Sequence, residues 1–422
     1  VRETALCLDG IANEHTYGHA GGGVVQHGPF AAAAYWTVAK RRGIPLAQLA
    51  GTGQSDFFLT YLGCVTKQQV PTAAGLRLNA DLIEFCSEHM PKWVPVSIAG
   101  YNGGDTGLNA WQELGAVFAN AIEYLDDVKR RGRTADLTQL AQRVGGVNFR
   151  TTMEIFEDAA KLRAARKMWH RLLTERYDIH DERAHKMRIH IVTSGAYMQY
   201  QQPVNNIVRG TLMALTAVLG GTQSLGVSGY DEAISIPSEH AHQMAVRIQQ
   251  ILEHETNIPA VTDPLGGSYY VEALTAELER RAWEFVTQIE QQGGFLASLD
   301  SGWLHARARE NQHSQALAEA RGERKIVGVN CFKDDVSPWE VDGFPPVTDA
   351  YPVALERLQA VKRERHERAA TEAMRNLADV CRDASRNIMP AMLQALDAEV
   401  TLGEIGDIYR DAWGDWNTPE LV

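Results

Sequence analysis

No stretch of this chain stays apolar for the ~18 residues that a membrane-spanning helix requires, and neither end reads as a targeting segment. No membrane association is expected. Cysteine is scarce: Cys7, Cys64, Cys86, Cys331 and Cys381 make an odd set with no CxxC pair. That argues against a disulfide framework or a structural zinc site and makes a reducing, cytoplasmic setting the expectation. Positive charge is also short, with 41 Lys and Arg against 53 Asp and Glu and a net charge of −12. A nucleic-acid backbone is therefore not expected as a partner, although a local basic pocket for a phosphorylated ligand stays open. The histidines lack metal spacing, since His180 and His185 lie five apart and His240 and His242 two apart, neither an HExxH pattern. No metal is expected. Gly51 and Gly53 lack the third glycine of a dinucleotide fingerprint, and Ser194 has no GxSxG elbow, so a serine hydrolase is not supported.

What is present is ordinary globular material. Hydrophobic residues make up 45% and charged residues 22% of 422, which excludes disordered, collagen-like and coiled-coil chains. At roughly 100–200 residues per domain, the length allows two to four domains or one barrel with appendages. Residues 28–42, 79–90, 108–132, 151–176 and 204–220 carry helical patterns. Residues 94–101, 187–195 and 222–229 read as strands, 260–272 as a strand and turn, and 326–332 as a last short strand. Residues 3–10 are strand-like, and 50–56 read as a tight glycine-containing turn. Repeated strand–helix units with polar groups at the strand ends predict an α/β fold of the TIM type, a (β/α)8 barrel, over residues 1–335. A linker over 336–352 and a helical C-terminal subdomain over 353–422 follow.

In such a barrel the chemistry sits at the C-terminal ends of the strands. Three segments qualify. GTGQSD (51–56) offers Thr52 and Gln54. GYNGGDTG (100–107) has four glycines in eight residues after a buried strand; glycine lets backbone approach a ligand closely, and Tyr101, Asn102 and Asp105 add a phenol, an amide and a carboxylate. IHIVTSG (189–195) brings His190, Thr193 and Ser194 to a strand end. Each has a purely structural alternative, a turn for the first two and a satisfied core histidine for the third. HAGGGVV (19–25) could cradle an anion through backbone N–H groups. Arg163, Arg166 and Lys167 lie on an Ala-rich helix and read as a solvated or packing face. Composition and spacing alone stop at a barrel enzyme with a pocket near 52–56, 101–105 and 190–195.

The segments SIAGYNGGDTG, HIVTSG, NNIVRGTLMALTAVLGGTQSL, YDEAISIPSEHA, RIQQILEHETNIPAVTDPLGGSYYVEALT and KIVGVN, in this order, are similar to the methylmalonyl-CoA mutase family, the adenosylcobalamin-dependent acyl-CoA mutases, over about residues 3–412. The resemblance is to the large subunit. It implies a (β/α)8 barrel that threads an acyl-CoA along its axis toward the cofactor, where a 5′-deoxyadenosyl radical abstracts a substrate hydrogen and a group migrates between adjacent carbons. The cofactor carries the hard chemistry, and the protein positions substrate and excludes water. By the same resemblance Gln54 and Thr52 match the active-site GTxQxD segment and Tyr101 matches the tyrosine of a GYH motif. Asp105 falls where the family has a glutamate contacting the adenosyl ribose. Thr193 and Ser194 match TSG, with His190 beside them among the substrate contacts.

Four departures from the family pattern bear on substrate. Cys64 stands where an arginine pairs with a substrate carboxylate; a guanidinium forks two hydrogen bonds to a carboxylate and a thiol cannot. A thioester without a free carboxylate is therefore expected. Asn102 replaces a histidine that hydrogen-bonds the thioester carbonyl. Gly226 replaces a second histidine, in TQSLH, at a cofactor-side position, and HAGGGVV replaces a strand with Ser and Thr contacts to CoA. The cobalamin signature DxHxxG is absent, DIHDERAH (178–185) lacking its glycine, so adenosylcobalamin is expected on a separate small subunit. Residues 3–10 align well inside the family's barrel domain, so the first barrel strands are expected on a separate chain or in a longer polypeptide. The rival expectation is a non-catalytic partner that supports a catalytic homologue; a third is a mutase acting on a carrier-bound acyl group.

Overall fold

The computed structural model describes residues 17–20, 25–63, 69–132, 137–144, 146–333, 343–344 and 348–419. In chain order the strands are β1 (Tyr17–Ala20), β2 (Ala50–Gly53), β3 (Lys92–Val94), β4 (Ile98–Ala99), β5 (Gly146–Thr151), β6 (Arg188–Thr193) and β7 (Ser224–Gly226). The first helices are α1 (Gly28–Arg41), α2 (Thr72–His89), α3 (Gly100–Asp105), α4 (Ala110–Arg131), α5 (Leu137–Val144), α6 (Ile155–Arg171) and α7 (Asn205–Leu219). Then come α8 (Glu239–His254), α9 (Tyr269–Gln291), α10 (Phe295–Asp300), α11 (Trp303–Ala320), α12 (Ala350–Glu364), α13 (Glu367–Arg382), α14 (Met389–Asp397) and α15 (Leu402–Trp413). The fold is α/β, mostly helical, with parallel strands in a three-stranded sheet ordered β1-β2-β3 and a four-stranded sheet ordered β4-β5-β6-β7.

The described residues form two compact units. One draws on 1–98, 120–146 and 346–419; the other on 99–119 and 147–345.

In the first unit, β2 pairs with both neighbours, setting Thr52 opposite His19 and Val94. Gly53 is required there, because a Cβ would meet the carbonyl oxygen of Pro95 at 2.2 Å. Helix α1 starts on Gly28-Pro29, where proline's missing N–H costs nothing, and its alanines let it lie close to its neighbours. Trp36 is fully buried, stacks on Phe85 and meets Trp93 edge-on. The same core takes in Ala370, Leu377, Met389, Met392 and Tyr409 from α13 to α15. Arg77 on α2 fastens these helices, its guanidinium donating to the carbonyls of Val380 at 2.6 Å, Cys381 at 2.5 Å and Asp383 at 2.7 Å beneath Trp413. Helix α15 begins with a full capping box, Thr401 and Glu404 each satisfying the other's backbone N–H.

In the second unit, β6 alternates, with Ile189, Ile191 and Thr193 buried and Arg188, His190 and Val192 on the less buried face. Helices α6, α7 and α9 supply apolar cover. Phe118 meets Trp169 and Trp283 edge-on. Ion pairs from α6 to α9, Lys167–Glu279 at 2.8 Å and Arg171–Glu279 at 2.9 Å, border that contact.

Four local expectations are corrected. Residues 260–272 form no strand: Pro259 and Pro264 withhold donors, Asp263 and Gly267 take positive φ of 49° and 80°, and α9 starts at Tyr269. Residues 326–332 make only a bridge between Val327 and Cys331, because Gly328 (φ 83°) turns the chain and the Asn330 side chain ties it to Ile326 N, Glu319 O and Arg324 O. Residues 50–53 are a strand rather than part of a turn, and the strand expected over 94–101 is two short pieces followed directly by α3. The expectations at 3–10 and 21–24, and most of 336–347, fall outside the described residues.

Candidate functional site

In the second unit, polar side chains gather where the strands end. Asp105 closes α3 just after β4, Arg150 lies near the end of β5, Ser194 follows β6, and Glu232 follows β7. Three of the four glycines of 100–107 lie against protein. A Cβ on Gly100 would lie 2.5 Å from Val117 Cγ2, one on Gly104 2.4 Å from Arg150 Nε, and one on Gly107, at φ 124°, 2.4 Å from the carbonyl oxygen of Ala308.

Asp105 is the hub. Its Oδ1 accepts from Ser194 Oγ at 2.5 Å and lies 3.3 Å from Arg150 Nη1. The Tyr101 phenol lies close enough to Asp105 to feel its charge. Burial, with the Asp105 and Glu232 charges adding to it, pushes the Tyr101 phenol far above its usual range. It is a neutral hydrogen-bond donor at any working pH. Tyr101 OH and Glu232 Oε1 both come within 3.7 Å of the point a Cβ on Gly195 would occupy, so the phenol and the carboxyl converge over that glycine. Burial, then the Asp231 and Asp105 charges, push the Glu232 carboxyl upward, with His242 opposing.

Arg150 is 6% exposed and is held from behind. Its Nη2 donates to Leu108 O at 2.7 Å, and its backbone N–H donates to Glu113 at 3.1 Å. Glu113 also receives the buried Lys161 ammonium at 2.7 Å, which donates in turn to Arg150 O at 2.8 Å. Arg150 and Asp105 face a cavity of about 680 Å³ together with Tyr197, Arg209, Gln315 and Arg324. Arg324 lies over the Tyr197 ring and pairs with Glu319 at 3.0 Å. Arg209 spends its donors on Asn206 Oδ1 and Val327 O. A larger hollow of about 930 Å³ lies beside the start of β7, and neither Asp105 nor Glu232 lines it. Its cations are already engaged: Arg163 by Asp263 and Glu272, Arg166 by the carbonyls of Gly220 and Gly221, Lys167 by Glu279. These residues pack helices, and the smaller cavity is the one with reactive groups.

The other expected site residues are dispersed. His190 Nδ1 meets Ser224 Oγ at 2.7 Å across the β6–β7 pair, and Gly226 stands opposite Val192 with room for a side chain toward His190. Thr193 is buried, its hydroxyl accepting from Ser228 N and its carbonyl from Ser228 Oγ. The Asn102 side chain is half-buried on α3, two residues before Arg150's contact at Gly104. Thr52 and Gln54 belong to the first unit, in β2 and just after it, and Cys64 lies outside the described residues. Sequence reasoning missed Arg150 and Glu232. Glu232 sat within YDEAIS, and only its motif could have marked it; Arg150 had no motif at all.

The sequence model of the methylmalonyl-CoA mutase family matches residues 24–415. The chain is 33% identical over 385 residues to the 2-hydroxyisobutanoyl-CoA mutase large subunit of Aquincola tertiaricarbonis, covering 91% of this chain and 68% of that one. It is 35% identical over 398 residues to the methylmalonyl-CoA mutase of Rhizobium meliloti, covering 92% and 54%. The human mitochondrial methylmalonyl-CoA mutase is 31% identical over 384 residues, covering 89% and 50%. The chain belongs to the methylmalonyl-CoA mutase family. It spans about two thirds of the first of these relatives and about half of the other two. Among the described residues no helix is long and apolar enough to cross a membrane, and no group of His, Cys, Asp and Glu is arranged to hold a metal ion.

Proposed function

We propose that this chain is the large, substrate-binding subunit of an adenosylcobalamin-dependent mutase that rearranges the carbon skeleton of an acyl-CoA thioester lacking a free carboxylate. One observation carries the reading: in a member of this family, Tyr101, Asp105, Ser194 and Glu232 converge at the C-terminal ends of parallel strands. The strands belong to a (β/α)8 barrel over residues 1–335, with a helical region after residue 353. The setting is cytoplasmic. A small subunit carries the cobalamin.

The carboxylates fit the cofactor's adenosyl group. Two acceptors beside a phenol suit the vicinal hydroxyls of a ribose, and Asp105 still has Oδ2 to offer beyond its Ser194 and Arg150 contacts. When bound, adenosylcobalamin supplies the radical hydrogen-abstracting chemistry. The chain's own residues do the rest. Tyr101, held neutral, donates a hydrogen bond without delivering a proton. Asn102 donates through its amide to the thioester carbonyl, where histidine could also protonate. Ser194, at the end of β6, orients the thioester, and Gly226 leaves room on the cofactor side. Cys64 offers no cation, which favours acyl groups of the 2-hydroxyisobutanoyl kind named for one relative.

The test is product analysis. The chain is mixed with a cobalamin-binding partner, adenosylcobalamin and a panel of acyl-CoAs, and isomerised thioester is sought by mass spectrometry. Carboxylate-free thioesters should convert and methylmalonyl-CoA should not. Complex formation without conversion of any thioester would favour the supporting, non-catalytic role.

A further inference from the structure

Arg150 lies near the end of β5, and no motif assigns it a role. Its guanidinium is sandwiched. Gly104 presses on one side so closely that a methyl group there would overlap Nε and Cδ, at 2.4 and 2.7 Å. Leu108 O takes Nη2 at 2.7 Å, Glu113 Oε2 stands 3.8 Å from Nε, and Nη1 faces Asp105 Oδ1 at 3.3 Å. Nε itself has no hydrogen-bond partner. An arginine buried to this extent, with one donor unspent, is not arranged for its own stability. What it does have is a fixed direction toward Asp105. Beside that carboxylate stand Ser194 after β6, Tyr101 on α3 and Glu232 after β7, with Asp231 next to Glu232. Glu113, Lys161 and Asp158 stand behind Arg150, with Tyr197 beside it and His242 beside Glu232, while Glu154, Arg209, Glu319, Arg324 and Lys325 line the cavity that Arg150 and Asp105 face.

We propose that Arg150 is a positioning residue, held by Gly104 and Leu108 so that it fixes the Asp105 carboxylate against Ser194 and Tyr101 and balances its charge beside Glu232. The consequence for turnover rests on the mutase reading above; the geometry does not. Gly104 is then glycine because the guanidinium needs the space, not because of its backbone conformation. It sits in a helix, where alanine is otherwise the better residue.

The first test is a stability cycle. Gly104→Ala should lower the melting temperature in the wild type by several degrees and should be neutral or stabilising in an Arg150→Ala background, where the space is vacant. An equal loss in both backgrounds overturns the packing half of the proposal. Arg150→Gln, which keeps a donor for Leu108 O, serves in its place if Arg150→Ala does not fold. The second test is charge. Without the guanidinium one fewer cation opposes the carboxylate charge beside Glu232, whose carboxyl burial already pushes upward, so the folded Arg150→Gln variant keeps a proton on Glu232 to higher pH. Relative to wild type it should lose stability as pH rises from 4 to 7, and parallel curves would overturn the charge half. The third test is turnover with a converting thioester, where Arg150→Gln should lower kcat at least tenfold, leave KM within about twofold, and shift the acid limb of the profile upward. Unchanged kcat and pH profile would sink the positioning role while leaving the mutase reading intact. No turnover by wild type would sink the mutase reading and leave the two ligand-free tests to decide Arg150.

Discussion

Lys161, 1% exposed, places its ammonium 2.7 Å from the fully buried Glu113 carboxylate. Asp158 lies 3.0 Å away on the other side, and the Arg150 carbonyl accepts at 2.8 Å. Burial pushes the Glu113 carboxyl upward, against the opposing pull of Lys161 and Arg150. The end of β5, and Arg150 with it, is thus tied to α4 and α6 by charges that cannot reach water.

Removing one member should be costly. Lys161→Met strands two buried carboxylates and should destabilise by about 3–5 kcal/mol. A Lys161→Met/Glu113→Leu pair should recover much of that loss, since replacing an ion pair by apolar groups is often near neutral. Urea unfolding of the three proteins checks it. A double variant no better than the single one contradicts it.

Tyr101 should not titrate with the ordinary tyrosines. Burial and the neighbouring carboxylates raise its phenol far above the usual value of about 10. In an alkaline titration followed by tyrosinate absorbance, Tyr101→Phe should remove nothing from the transition near pH 10. A missing component there would mean that the phenol is solvated and the convergence on Asp105 is wrong.

In the first unit the segment that carries Gln54 rests on a buried polar network. Asp56 accepts from Asn120 Nδ2 at 2.8 Å and Tyr124 OH at 3.1 Å, while Asn79 bridges Ser55 and Tyr124. Asp56→Ala leaves donors on Asn120 and Tyr124 without this acceptor, and should cost about 2–4 kcal/mol. Thermal or chemical unfolding reads the loss. A cost below about 1 kcal/mol would mean that the network is dispensable.

The acid limit of the C-terminal helices should depend on Glu404. Burial pushes this carboxyl up, but hydrogen bonds from Arg365 and from both groups of Thr401 more than offset it and hold the carboxyl down at about 2. A depressed folded value stabilises above the ordinary 4.5 and is lost as pH falls from there toward 2. Arg365→Met should raise the pH at which helix content in this region begins to fall on acidification. An unchanged acid transition would mean that the pair contributes nothing.

How much was legible in the sequence varied with the kind of signal. Helix α1 was plain from its alanine run, and α4, α6 and α7 from their helical patterns. Strand β6 was plain from its alternation. The errors at 260–272 and 326–332 share one cause: apolar residues were counted while Pro264, Gly267, Gly328 and the side-chain bonds of Asn330 decided the backbone. Tyr101, Asp105 and Ser194 could be read because each follows a strand that patterning reveals. The function of Gly104 could not, because it is set by a side chain 46 positions away that only the fold brings against it. Arg150 itself was invisible for the same reason.

The central claim is that the chain takes part in cobalamin-dependent rearrangement of a carboxylate-free thioester. The most direct measurement is isomerised product from 2-hydroxyisobutanoyl-CoA or a close analogue, with the chain, its cobalamin-binding partner and adenosylcobalamin present and each omitted in turn. The account predicts product only when all three are together, and its loss in Tyr101→Phe/Asp105→Ala. Product that forms without this chain, or that persists undiminished in the double variant, would contradict it.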